Sequence, residues 1–193
     1  MIEVAMSIVA ADSIESFFGE VVEDALKARH VDASETATRY LVGVLAEPHV
    51  ETFGRPLALS LQEALVTHEP AERFSRLREL GDAVLYVSGF FADHFAARGL
   101  ESRYVSTIGA RAYVSADALL GGTTLFAELA SRFDDFTRVI SEVADRTLAQ
   151  QNAHDPRGLL KLYERWLKTG SGAMAEALVE QGIFPTRGAK GTQ

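Results

Sequence analysis

Phe126-Ala127-Glu128-Leu129-Ala130-Ser131-Arg132-Phe133-Asp134-Asp135-Phe136-Thr137-Arg138-Val139-Ile140-Ser141-Glu142-Val143 decides the fold of this 193-residue chain. Its apolar residues Phe126, Leu129, Phe133, Phe136, Ile140 and Val143 are spaced 3, 4, 3, 4, 3. That is a strict a/d seam, which only a long helix buries along one side. The opposite surface carries Glu128 with Arg132, Asp134 with Arg138 and Glu142 with Arg146. Each is acid before base at i,i+4, the favoured order. Two independent signals therefore predict one helix over about 123–150. The seam hints at assembly and contains no chemistry.

Helix signals continue on both sides of it. Asp12-Ser13-Ile14-Glu15 is a capping-box pattern ahead of an apolar stripe, Ile14, Phe17, Phe18, Val21, Val22 and Leu26. Residues 1–10 read as an arm or a short packed segment. Asp32-Ala33-Ser34-Glu35 repeats the device before Tyr40, Leu41, Val44 and Leu45, and Pro48 closes that helix. A short helix follows near Leu57–Val66, and Pro70 suits the first position of the next. That next segment, about 71–98, contains Gly81 and Gly89 and stops at Gly99. A helix over about 103–120 leads to Gly121-Gly122 and the seam. Helices over about 157–168 and 172–181 finish the chain. Strand signals are almost absent, and no repeat or linker divides the sequence. The expected fold is all-α, a single-domain bundle of seven to eight helices with one long central helix, over residues 1–185. Residues 186–193 are expected to form a flexible tail.

Composition narrows the function classes. Hydrophobic residues make up 47% and charged residues 24%, as in an ordinary globular domain. The absence of cysteine excludes disulfides, thiolate metal sites and a cysteine nucleophile, and fits a reducing cytoplasm. No stretch reaches the roughly 18 apolar residues of a membrane span, and the opening residues lack the basic region of a signal peptide. Residues 1–70 hold 12 acids and 4 bases, and residues 71–193 hold 15 of each. An acidic front half argues against nucleic-acid binding, which needs a basic footprint.

Candidate functional residues are few. On an ideal helix, Leu77, Leu80, Val84, Val87, Ser88, Phe91 and Phe95 form the core face of the 71–98 segment. The opposite face carries Glu79, Asp82, Tyr86, Phe90 and Asp93. Two aromatics among carboxylates on a polar face point to a covering layer or a partner, so Asp82, Tyr86, Phe90 and Asp93 are the expected interaction surface. Small residues Gly109, Ala112 and Ala116 on the next helix face that segment's glycines. They signify tight packing or a pocket, whose polar lining would be Ser88, His94, Tyr104 and Arg111. The five histidines form no zinc or di-iron motif, and no nucleophile elbow, P-loop or dinucleotide fingerprint occurs. No metal and no cofactor is expected. Arg157, Lys161, Arg165 and Lys168 make a basic stripe, read as a solvated face or a charge match to the acidic half.

Leu80-Gly81-Asp82-Ala83-Val84-Leu85-Tyr86-Val87-Ser88-Gly89-Phe90-Phe91, with Tyr104 and the stretch from Gly109 to Tyr113, resembles uncharacterised all-helical bacterial proteins with no assigned activity. The resemblance implies a constrained environment for this block and no reaction. Ala116-Asp117-Ala118-Leu119-Leu120-Gly121-Gly122 is loosely similar to the Gly-Asp-Leu-Ser-Gly-Gly pattern of the haem oxygenase family's distal helix. Asp117 stands one residue too far from the glycine pair, and His30 is the available N-terminal histidine. The sequence thus leads to a cytoplasmic helical interaction protein, an adaptor or regulator expected to be homodimeric or to bind a protein partner. The alternative is a small-molecule or haem-binding protein or enzyme, with a pocket between the 71–98 and 103–120 helices.

Overall fold

The chain folds as an all-α helical bundle in a computed structural model that describes residues 2–47, 55–91, 95, 99–122, 124–152 and 156–186, with backbone alone for 2–13 and 124. Among the described residues there are nine helices and no strand. They are α1 (Ile2–Arg29), α2 (Glu35–Ala46), α3 (Leu57–Val66), α4 (Pro70–Phe90), α5 (Ser102–Leu119), α6 (Thr124–Ser131), α7 (Phe133–Asn152), α8 (Pro156–Thr169) and α9 (Gly172–Glu180). The contacts group the chain into two compact units, Met1–Ser141 and Glu142–Gln193, and the boundary falls inside α7.

In the first unit α4 lies mainly against α5 and α3, α2 against α1, and α6 against α5 and α2. The six consecutive residues 80–85 of α4 are all buried, so this stretch of the helix is enclosed on every side. It occupies the central place expected of the seam helix. The seam itself is used inside the chain: all six of its residues are buried, none more than 5% exposed. Leu41, Leu77, Val84, Leu85, Leu129, Phe136 and Ile140 are among the fully enclosed side chains. Burial of each such side chain is worth about 1.5–3 kcal/mol.

Several boundaries differ from the expectation for local reasons. The first ten residues are no separate arm. Helix α1 begins at Ile2 and runs through the capping-box pattern, since residues 2–12 include neither glycine nor proline. The seam helix is two helices meeting at Arg132. Backbone bonds from Arg132 N to Glu128 O (3.0 Å) and from Phe136 N to Arg132 O (3.0 Å) carry helical pairing across the break. Helix α4 ends at Phe90, short of residue 98. Gly99 therefore does not end α4, although its backbone is left-handed, whereas the stop after α5 falls as read. Gly99 has φ +70 and Leu100 N bonds back to Phe95 O at 3.0 Å. Gly121 and Gly122 take φ +80 and +83 and terminate α5, with Gly122 N on Asp117 O. The glycine pair therefore ends a helix and does not bend one, unlike the distal-helix pattern it loosely matches.

The polar side of the seam serves an unforeseen purpose. Ser34 caps α2 by accepting from Ala37 N at 3.1 Å. Position N3 is alanine, so the reciprocal acceptor comes from afar: Ser34 N donates to Glu128 Oε1 at 3.0 Å. Arg132, 3.7 Å from Glu128, donates to the Asp32 carbonyl. This pair ties the turn between α1 and α2 to α6. The expected pairing of Asp134 with Arg138 does not form; Arg138 binds Asp135 instead.

In the second unit α8 and α9 pack Leu162, Trp166, Met174, Ala177 and Leu178 around Ala149. Asp145, 1% exposed, accepts from Arg165 Nη2 at 3.0 Å and Nε at 3.1 Å. Arg165 thus leaves the basic stripe for an internal charge match. Arg157, Lys161 and Lys168 stay exposed beside Leu160 and Leu167.

Candidate functional site

The chemistry of the first unit gathers on Asp82. Sequence periodicity puts this residue on an exposed acidic face, and the structure corrects that: Asp82 is 4% exposed, in the middle of α4. Two tyrosines from distant segments cover it. Tyr40 of α2 donates to Asp82 Oδ1 at 2.6 Å, and Tyr113 of α5 donates to the same oxygen at 2.8 Å. Phe126 stands edge-on to Tyr40, with centroids 5.6 Å apart, and tilted against Tyr113 at 5.8 Å. The Tyr113 approach depends on Gly81, where a Cβ would stand 2.5 Å from Tyr113 Cε1. A glycine thus sits mid-helix despite costing about 1 kcal/mol against alanine. Gly109 likewise admits Phe133, so tight packing explains these small residues.

Electrostatics fix the roles of the phenols. Burial, and then the charge of Asp82, raise Tyr40 far above its ordinary value of 10.0. The same causes act on the fully enclosed Tyr113. Both therefore stay protonated at neutral pH, as donors and not as bases. On the other side Asp82 Oδ2 lies 3.8 Å from Arg78 Nε, one helical turn away and beyond hydrogen-bond reach. That Nε is buried and has no hydrogen-bond partner among the described residues, although 43% of the Arg78 side chain reaches solvent.

Arg78 and Asp82 form one wall of a groove of about 350 Å³. Thr36, Arg39, Tyr40, Gly43, Val44 and Glu47, a single stripe of α2, form the other, and Leu125 of α6 contributes an apolar side. Arg39 is engaged by Glu35 at 2.8 Å, one helical turn away, in a largely exposed pair.

Other candidates disperse. Tyr86 and Phe90 are half-buried and stacked, with centroids 5.3 Å apart and planes 9° from parallel. Phe91, expected in the core, is 50% exposed and leans on both rings at 6.0 and 5.9 Å. Burial raises the Tyr86 phenol too. Asp93 and His94 lie outside the described residues. Ser88 lines a cavity of about 190 Å³ with Phe95, Leu100, Ser102, Val105, Ser106, Asp134 and Thr137, and its buried Oγ has no partner. The expected pocket partners are elsewhere. Tyr104 is 41% exposed and Arg111 is exposed, because the buried side of α5 runs through Val105, Ile108, Ala112 and Tyr113. At about 30 Å³ per liquid water, the cavity has room for waters to satisfy Ser88.

Sequence reasoning missed Tyr40, Gly43, Glu47 and Arg78. Arg78 and Asp82 at i,i+4, next to a mid-helix glycine, were the available signal. Among the described residues no group of three or more histidines and acids could hold a metal ion, and no helix is long and apolar enough to cross a membrane. No family model, no curated protein and no solved structure matches the chain.

Proposed function

We propose that this chain is a cytoplasmic helical binding protein that takes a small polar molecule into the groove between α2 and α4. One observation carries the reading: the Arg78 Nε–H is buried at the groove wall without an acceptor. A buried donor left unpaired costs about 1–3 kcal/mol, and a ligand acceptor would recover that. Beneath it, the Tyr40–Asp82–Tyr113 cluster is a rigid platform that holds Arg78 by charge without saturating it. Binding is favoured over turnover because both phenols are locked as donors and Asp82 Oδ1 is taken by two of them. Native mass spectrometry of the purified protein and of Arg78→Gln tests this. A retained mass that vanishes in the variant supports the reading. Equal retention in both places the ligand elsewhere.

A second reading, contact with a protein partner or a second copy of the chain, draws on the Tyr86, Phe90 and Phe91 stack, whose outer ring is half in solvent. Such partly exposed aromatics are enriched at interfaces. Tyr86→Ala with Phe90→Ala would convert a dimer to a monomer in light scattering if this surface joins copies. An unchanged mass would remove it as the interface.

A further inference from the structure

Resting on the groove as a binding site, we infer that its ligand is a small zwitterion of the amino-acid type, its carboxylate on Arg78 and its ammonium on Glu47, with an apolar body over Gly43.

The charge layout selects this class. Four charged side chains line the groove: Arg39, Arg78, Glu47 and Asp82. Arg39 is paired with Glu35, and Asp82 is held by two phenols. Arg78 is attracted to Asp82 at 3.8 Å but makes no hydrogen bond to it, so hydrogen-bonding capacity of opposite sign remains on Arg78 and Glu47. Arg78 lines the groove with 43% of its side chain in solvent and has no acceptor on its buried Nε–H among the described residues, and a guanidinium fork receives a carboxylate on two parallel bonds. Glu47, exposed at the C-terminal end of α2, makes no ion pair among the described residues and would attract a cation. A simple anion would satisfy Arg78 while being repelled by Glu47. A simple cation would meet the reverse. A molecule bearing both charges answers both.

Gly43 supplies an independent observation. It sits inside α2, where glycine is unfavourable, yet beyond its chain neighbours and the backbone of α2 no atom of the described residues lies within 4 Å of the place its Cβ would occupy. Packing within the chain does not call for a glycine there, unlike Gly81 or Gly109, whose sites are filled by Tyr113 and Phe133. The open space is groove, bordered by Val44 and Leu125. It suits the apolar side chain of the ligand.

Calorimetric titration decides the matter with three probes of one shape. L-leucine carries both charges, isocaproate lacks the ammonium, and isoamylamine lacks the carboxylate. We expect leucine to bind, with each analogue weaker by about tenfold or more, the loss of one charge-assisted contact. Arg78→Gln should weaken leucine at least as much and leave isoamylamine unchanged. Glu47→Gln should weaken leucine and spare isocaproate. Gly43→Leu fills the groove from a helix position with free space, so it should abolish binding while thermal stability is kept or raised. Isocaproate binding as tightly as leucine and lost in Arg78→Gln would overturn the zwitterion and leave the groove reading standing. Absence of heat with all three probes also overturns it. In that case an Arg78-dependent retained mass still upholds the groove, and its absence removes both.

Discussion

Each unit of this protein buries an aspartate, and the two are satisfied in opposite ways. Asp145 receives Arg165 through two nitrogens at 3.0 and 3.1 Å, and the pair closes on itself. Asp82 receives neutral phenols at 2.6 and 2.8 Å, and its arginine stands off at 3.8 Å with an unpaired Nε. A closed pair has spent its hydrogen bonds and serves structure. An open one keeps a charged donor in reserve. The comparison shows why a buried carboxylate is not itself a site: what matters is whether its counter-charge has been used.

Breaking each carboxylate is the strongest test. Asp82→Ala strands the buried Tyr113 phenol, the half-buried Tyr40 phenol and the partly buried Arg78, and should cost about 3–5 kcal/mol. Asp145→Ala strands one arginine that is 31% exposed and able to reach water, so about 2–3 kcal/mol is expected. Denaturant midpoints at neutral pH order the two, and an equal or reversed order would refute the asymmetry. Gly81→Ala should act through the phenol platform without touching the carboxylate. Its Cβ displaces the Tyr113 ring, an overpacking worth about 1–3 kcal/mol. Added to Tyr113→Phe it should cost clearly less than the sum of the two.

The pH dependence differs in kind between the regions. Burial raises Asp145 above its ordinary 3.8 despite Arg165, so the folded state holds that proton longer than the unfolded one. Stability of the second unit should therefore fall as pH rises from about 3.8 through the raised value, and Asp145→Asn should flatten that slope. Around Asp82 the titrating groups are Tyr40 and Tyr113, both raised above 10.0. Their contribution is complete below pH 10 and is lost above it, as the unfolded phenols ionise while the folded ones do not. Tyr40→Phe should reduce the alkaline loss, followed by circular dichroism against pH. The smallest effect belongs to Arg78. Its attraction to Asp82 is long and its side chain 43% exposed, so Arg78→Gln should change stability by about 1 kcal/mol or less while removing ligand binding.

How much of this was legible depended on the range of the cause. Helix α3 lies over Leu57–Val66 as read, and Pro70, Gly121 and Gly122 mark helix ends, because proline and glycine act through their own backbone. The seam residues are buried as their spacing required. Asp82 was misplaced because its partners lie 42 and 31 residues away, and periodicity sees one helix at a time. Over 80–85 the helix is enclosed on all sides and has no polar face to find. Tyr104 fell on the wrong side of α5 by a single residue's rotation, beside the buried Val105. The groove was invisible for a further reason: its walls come from α2, α4 and α6, and no single segment carries its charge pattern.

The most direct test of the open and closed arrangement is hydrogen exchange at the two arginine Nε–H groups, read by NMR and assigned by loss in Arg78→Gln and Arg165→Gln. The Arg165 signal should exchange slowly, protected by its bond to Asp145. The Arg78 signal, with no acceptor to hold it, should exchange faster than that of Arg165 in the free protein and slow when L-leucine is added. Slow exchange of Arg78 in the free protein, matching Arg165, would mean that its pair with Asp82 is closed, and the groove would lose its claim to be a site.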